Sequence, residues 1–209
     1  MISAQDALER LREGNHRFTL GVRSFDSLTS QTRRNELAAG QKPFAVILGC
    51  SDSRVPVEIV FDQGLGDLFV IRVAGNIVAP SQIGSVEYAV EQFGTRLVVV
   101  LGHTRCGAVL ATLEELERPA ENRSRNLQSI VDRIRPAVEG LLATELRHNR
   151  DTLARHAVRA NVRMSANHLR HGSEILEQLI QKDGLLVVGA EYVLESGAVE
   201  FFDGVPESG

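Results

Sequence analysis

The sequence predicts an α/β fold, with a mainly parallel sheet flanked by helices, and three observations carry that prediction. Short apolar runs rich in Val and Ile recur at Phe44–Gly49, Leu68–Val73 and Leu97–Gly102. Runs of that length without polar alternation suit strands buried on both faces. Segments of helical periodicity separate them, and alternation of strand with helix favours parallel pairing. The chain then closes on an apolar run at Leu185–Val193, a Glu195-Ser196-Gly197 turn and a last run at 198–202. That pair reads as a hairpin, which makes the final strand an antiparallel edge.

The elements follow in order. Residues 3–18 open on a capping serine, with Ala7, Leu8 and Leu11 at helical spacing, so they predict an amphipathic helix. A second helix is expected around 29–39, ending at Gly40. Within the sheet region, 56–63 predicts a short helix, 81–93 a longer one with a clear apolar stripe, and 107–117 one that stops before Pro119. Residues 126–147 and 151–181 predict two further helical stretches. The Arg and Asn residues near 147–170 read as a solvated face. No repeat, low-complexity segment or linker interrupts the chain, so residues 1–209 are expected to form one domain, with 1–40 as a helical arm and 41–209 as the core.

Composition narrows the function. Of 209 residues, 43% are apolar and 24% charged, the balance of a globular domain rather than a disordered chain. The net charge of −4 is made of mixed signs along the whole chain, which points to neither nucleic acid nor a membrane surface as a partner. The N-terminus lacks a secretory pattern and the apolar runs are too short to span a bilayer, so a cytoplasmic location is expected. In that compartment Cys50 and Cys106 are poor disulfide candidates.

Ligands of open α/β sheets gather beyond the carboxyl ends of the strands. Polar clusters stand at three such ends: Cys50-Ser51-Asp52-Ser53-Arg54, Arg72 to Asn76, and His103-Thr104-Arg105-Cys106-Gly107. Cys50, His103 and Cys106 make a Cys₂His donor set, the kind that holds zinc while leaving a fourth position for water or substrate. Cys106 stands where a helix begins, which favours its thiolate. A thiol nucleophile paired with His103 is the competing reading. Asp52 beside Arg54 is expected to stay ionised. It is placed to occupy the fourth zinc position, to accept a hydrogen bond from a zinc-bound water, or simply to shape the loop as an ion pair. The other histidines, 16, 148, 156, 168 and 171, are expected at the surface. Gly64 and Gly66 suggest a phosphate loop, but Phe69 stands where a third glycine belongs, and that motif is set aside.

Cys50-Ser-Asp-Ser-Arg54 followed by Gly102-His-Thr-Arg-Cys-Gly107 resembles the paired signature of the β-class carbonic anhydrases. The resemblance extends through Phe69–Arg72, Asn76, Glu87–Val90 and the hairpin at 189–199, covering about 40–202. It implies a four-stranded parallel core with an antiparallel fifth strand, and a homodimer in which the N-terminal helices wrap the partner; pairing into a dimer of dimers stays open. It implies one Zn²⁺ per chain on Cys50, His103 and Cys106, with Asp52 and Arg54 as catalytic dyad. Gln41, Phe69 and Tyr88 match positions that line the family's substrate pocket at the dimer interface, and the Gly107 amide matches the group that holds bicarbonate. The implied reaction is attack of zinc-bound hydroxide on carbon dioxide to give bicarbonate and a proton.

The magnitudes agree with a metal mechanism. Zinc lowers the pKa of bound water from about 15.7 to roughly 7, and carbonic anhydrase is itself the standard illustration of that effect. The change is worth on the order of 12 kcal/mol at about 1.36 kcal/mol per unit, against roughly 3–5 kcal/mol for a positioned general base. Arg72 and Tyr192 match two positions of a bicarbonate-inhibited subgroup, but Ile47 stands where that subgroup has Trp, so the site is expected to stay open with Asp52 on Arg54. A hydrolase of carbon disulfide or carbonyl sulfide would need the same zinc ligands, and a non-catalytic zinc module is the reading from another functional class.

Overall fold

The computed structural model describes residues 2–22, 30–118 and 124–206. Five strands form one sheet in the order β2-β1-β3-β4-β5. They are β1 (Ala45–Gly49), β2 (Leu68–Arg72), β3 (Leu97–His103), β4 (Leu186–Tyr192) and β5 (Val199–Asp203). The first four pair in parallel and β5 runs antiparallel on the edge, as the sequence predicts. Every residue of β1 and β3 is buried, which is why their sequences show no polar alternation.

Helices cover both faces. On one lie α1 (Ala4–Thr19) and α3 (Val57–Val60), packed through Leu8, Leu11, Val57 and Val60 against Ile47, Val99 and Val188. Burying Leu8 and Leu11 contributes about 1.5–3 kcal/mol each. The amide of Asn15 locks α1 in place, donating to the carbonyls of Val60 and Gly197 and accepting from the Val199 N–H. On the other face, α4 (Pro80–Gln92), α7 (Arg150–His171) and α8 (Glu174–Lys182) pack on Val46, Leu48, Val98 and Val100. A third apolar cluster, from α5 (Gly107–Glu117), α6 (Arg125–Val138) and α7, closes around Cys50 and Cys106.

Several boundaries differ from expectation. The second helix, α2, spans Gln31–Leu37, capped by Ser30 and ending three residues before the expected Gly40; position 29 lies outside the described residues, as does Pro119. The stretch 126–147 is not one helix: α6 ends at Val138 and two 3₁₀ turns follow. Pro136 removes an amide from its last turn, and Gly140 does not favour continuation. The stretch 151–181 breaks at Gly172-Ser173, where Ser173 accepts from the Leu176 N–H and starts α8. Along α7, Arg155 and Arg163 face solvent as expected, but Asn161 and Ser165 turn inward.

Candidate metal centre and active site

From β1 the chain crosses to β2 on one side, then returns to lay β3 on the other. The connections after β1 and β3 therefore diverge and leave a crevice beyond their carboxyl ends. Cys50 follows β1, His103 ends β3, and Cys106 is the N-cap residue of α5. Their ligand atoms all lie within 4.8 Å of one another. All three residues are buried, His103 completely.

The donors fit a zinc ion. The two sulfurs are 4.0 Å apart, close to the roughly 3.8 Å that a tetrahedral ion with Zn–S of about 2.3 Å requires. His103 Nδ1 lies 3.0 Å from the Thr104 carbonyl, so it carries the proton and leaves the Nε2 lone pair facing the sulfurs. Nε2 is buried with no hydrogen-bond partner among the described residues. Leaving such an acceptor unmet costs about 1–3 kcal/mol, and a cation bound by the two thiols removes that cost.

The sulfurs are not equivalent. Hydrogen bonding from the Cys106 thiol, with the Gly75 and Asp52 amides adding to it, holds Cys50 well below the usual thiol range against the opposing effect of burial. Cys106 is pushed up, first by the hydrogen bond it gives Cys50 and then by burial. Amides at the start of α5 do favour its anion, but the neighbouring negative sulfur outweighs them. A divalent cation takes the place of the proton that Cys106 keeps.

Asp52 stands at the rim, its Oδ2 3.8 Å from His103 Nε2. Arg54 grips it with both ends of its guanidinium, Nε to Oδ1 at 2.9 Å and Nη2 to Oδ2 at 2.7 Å, and with its backbone amide. Those bonds hold the Asp52 carboxyl well below the usual carboxylate range. Arg72 reaches under the same loop, donating to the Cys50 and Asp52 carbonyls at 2.9 and 2.6 Å. The Gly75 amide donates to Cys50 Sγ at 3.3 Å. The sequence marks Arg72–Asn76 as a strand-end cluster without assigning it this supporting work.

The predicted residues fall into two groups. Cys50, Asp52, Arg54, His103 and Cys106 converge, and Gly107 opens α5 beside them, exposed, where an added Cβ would meet nothing within 4 Å. Gln41, Phe69 and Tyr88 do not join them. Phe69 pairs with Val46, four residues before Cys50, about 13 Å back along the sheet. There its ring meets those of Tyr88 and Phe93, with Tyr88 53% exposed. Ile47 is buried in the sheet, and the other five histidines are exposed.

Known proteins share this arrangement. The family model described as Carbonic anhydrase matches residues 45–199. Carbonic anhydrase 2 of Mycobacterium tuberculosis is 39% identical over 205 residues, covering 97% of this chain and 95% of the relative. The carbonic anhydrase of Mycolicibacterium smegmatis is also 39% identical, over 93% of this chain and 91% of its own length. The crystal structure of the β-carbonic anhydrase CafA of Aspergillus fumigatus superposes with a TM-score of 0.74 at 27% identity, covering 97% of this chain and 91% of that one. Matching sequence over nearly the whole length, the same fold, and a buried Cys₂His cluster at the sheet's switch point together mean that this chain belongs to the β-class carbonic anhydrases.

Proposed function

We propose that this chain is a zinc-dependent enzyme that interconverts carbon dioxide and bicarbonate. The observation that carries the reading is the unpartnered Nε2 of buried His103, facing two sulfurs 4.0 Å apart, with an arginine-bound carboxylate 3.8 Å away. Zinc held by Cys50, His103 and Cys106 supplies the Lewis acidity that makes hydroxide available near neutral pH. Asp52, kept anionic by Arg54, is assigned as the acceptor that orients the attacking group's proton away from the substrate. The Gly107 amide, at a helix N-terminus with clear space around it, is assigned to the product anion.

The same reading keeps the site open at neutral pH. Both Asp52 oxygens are engaged by Arg54, Arg72 is spent on the Cys50 and Asp52 carbonyls, and Ile47 offers no side-chain donor. Gln41, Phe69 and Tyr88 lie too far from their own metal site, so we assign them to the site of a second copy in a homodimer. The exposed Tyr88 beside Phe69 and Phe93 supports that contact. In this assembly residues 1–209 act as one domain: α1 packs on its own sheet, and α2, tied to that sheet's β2 entry by Arg33 on the Leu65 carbonyl and Asp67 but burying none of its residues, offers its outer face to the partner. β-Carbonic anhydrases of Sordaria macrospora, 26% identical with a TM-score of 0.71, are tetrameric, which supports pairing of dimers here. Among the described residues no helix is long and apolar enough to cross a membrane. Two free thiols serving as ligands suit the reducing cytoplasm.

Stopped-flow hydration of carbon dioxide, run with zinc analysis, tests the function. Activity proportional to bound zinc and absent from Cys50→Ser is expected. A protein carrying one zinc per chain and no activity refutes it.

A further inference from the structure

We infer that Asn161, in the middle of α7, is a positioning residue for the metal centre, acting through the Gly75 amide on the sulfur of Cys50; this rests on the zinc reading above. The turn after β2 has to bend sharply to aim that amide. Gly75 has φ 71°, ψ 20°, and Asn76 follows at φ 42°, so two consecutive residues adopt the left-handed conformation. For a residue with a side chain this is uncommon and needs support from its surroundings.

The support comes from α7. Asn161 Nδ2 donates to the Gly75 carbonyl at 2.8 Å, and Ser165 Oγ donates to the Asn76 carbonyl at 3.0 Å. The two side chains are four residues apart, one helical turn, and so share a face. Asn161 is 1% exposed and Ser165 is also buried. Burying an amide is unfavourable unless it is bonded, so an apolar residue would serve better if packing were the whole task. The helix also cannot drift: a Cβ added to Gly102, the residue before His103, would lie 2.5 Å from Val162 Cγ2. One helix face therefore presses on the strand that carries His103 and clamps the turn that bonds to Cys50.

An N–H···S bond draws negative charge from a thiolate, and the ion it ligates becomes a stronger acid. Asn161→Leu removes the donor at similar size. Its zinc affinity, measured by chelator competition, is expected to fall about 10–100-fold, as when partners of metal ligands are lost. In the cobalt-substituted protein the thiolate-to-metal charge-transfer band should move to lower energy. The acid limb of the kcat/KM pH profile should move to higher pH. Ser165→Ala should shift all three the same way by less. Leu176→Ala, in the apolar cluster beneath α4 and α8, lowers stability without touching the turn and should shift none.

A folded Asn161→Leu with wild-type zinc affinity and cobalt spectrum overturns the inference, as does Leu176→Ala moving them equally. Should Asn161→Leu not fold, an unshifted Ser165→Ala overturns it as well. Wild-type protein that takes up neither metal would instead sink the zinc reading, and this inference with it.

Discussion

Replacing Gly75 with alanine should be far costlier than one added methyl group suggests. The position has φ 71°, ψ 20°, and a left-handed residue with a side chain costs about 1–2 kcal/mol. The new Cβ would lie 2.8 Å from Ile134 Cδ1 and 3.1 Å from Ala108 Cβ. The first neighbour is a mobile side-chain end, but the second is fixed on the first turn of α5, next to Cys106. Overpacking of this kind adds about 1–3 kcal/mol, for a total of about 2–5 kcal/mol. In a domain this size about 2–4 °C is lost per kcal/mol, which places the fall in melting temperature at about 4–20 °C. Calorimetry at a fixed zinc concentration is the assay, because ligand occupancy itself moves the transition. Gly84 is the internal control: it sits within α4, a Cβ there meets nothing within 4 Å, and alanine should stabilise by about 0.5–1 kcal/mol. A Gly75→Ala protein melting with the wild type would refute the account of the turn.

Two further substitutions probe other parts of the molecule. Glu191 is 3% exposed, with one oxygen bonded to Arg159 at 2.9 Å and the other without a hydrogen-bond partner among the described residues; burial pushes its carboxyl up despite that arginine. A carboxyl raised on folding binds its proton more tightly in the native state, so it favours folding below its unfolded pKa of about 4.3. That advantage is lost as pH rises through the folded value. Glu191→Gln should therefore gain stability over wild type between pH 4 and pH 8 in urea titrations, and an unchanged difference would contradict the assignment. At Gly14 a Cβ would lie 1.8 Å from the Phe61 carbonyl oxygen. The helix propensity gained by Gly14→Ala, about 1 kcal/mol, should be outweighed by the partial lifting of Leu8 and Leu11, seen as faster hydrogen exchange in α1. Greater stability with unchanged exchange would mean that α1 does not dock there.

How much of this was legible in the sequence depended on where each role resides. The strands were readable because burial on both faces leaves continuous runs such as Val98–Leu101, and the metal ligands because Cys50 and His103 directly follow or end such runs. Work done by backbone leaves no residue-type signature. The Gly75 amide looks like any other glycine, and Asn161, set among the arginines of α7, reads as part of a wet face until the turn it bonds is seen. The acidity of Cys106 was only half legible for a related reason. Helix position is visible in a sequence, whereas a sulfur 4.0 Å away, 56 positions distant along the chain, is not.

That spacing also sets the order in which the centre can assemble. In a small zinc finger the cation gathers nearby ligands and thereby folds the peptide. Here the loop between the two thiols is far longer, and longer loops are harder to close before other contacts form. The ion consequently arrives as a tenant of a finished building. Chelation should leave the sheet standing, and zinc returned to the solution should restore the centre without any refolding step.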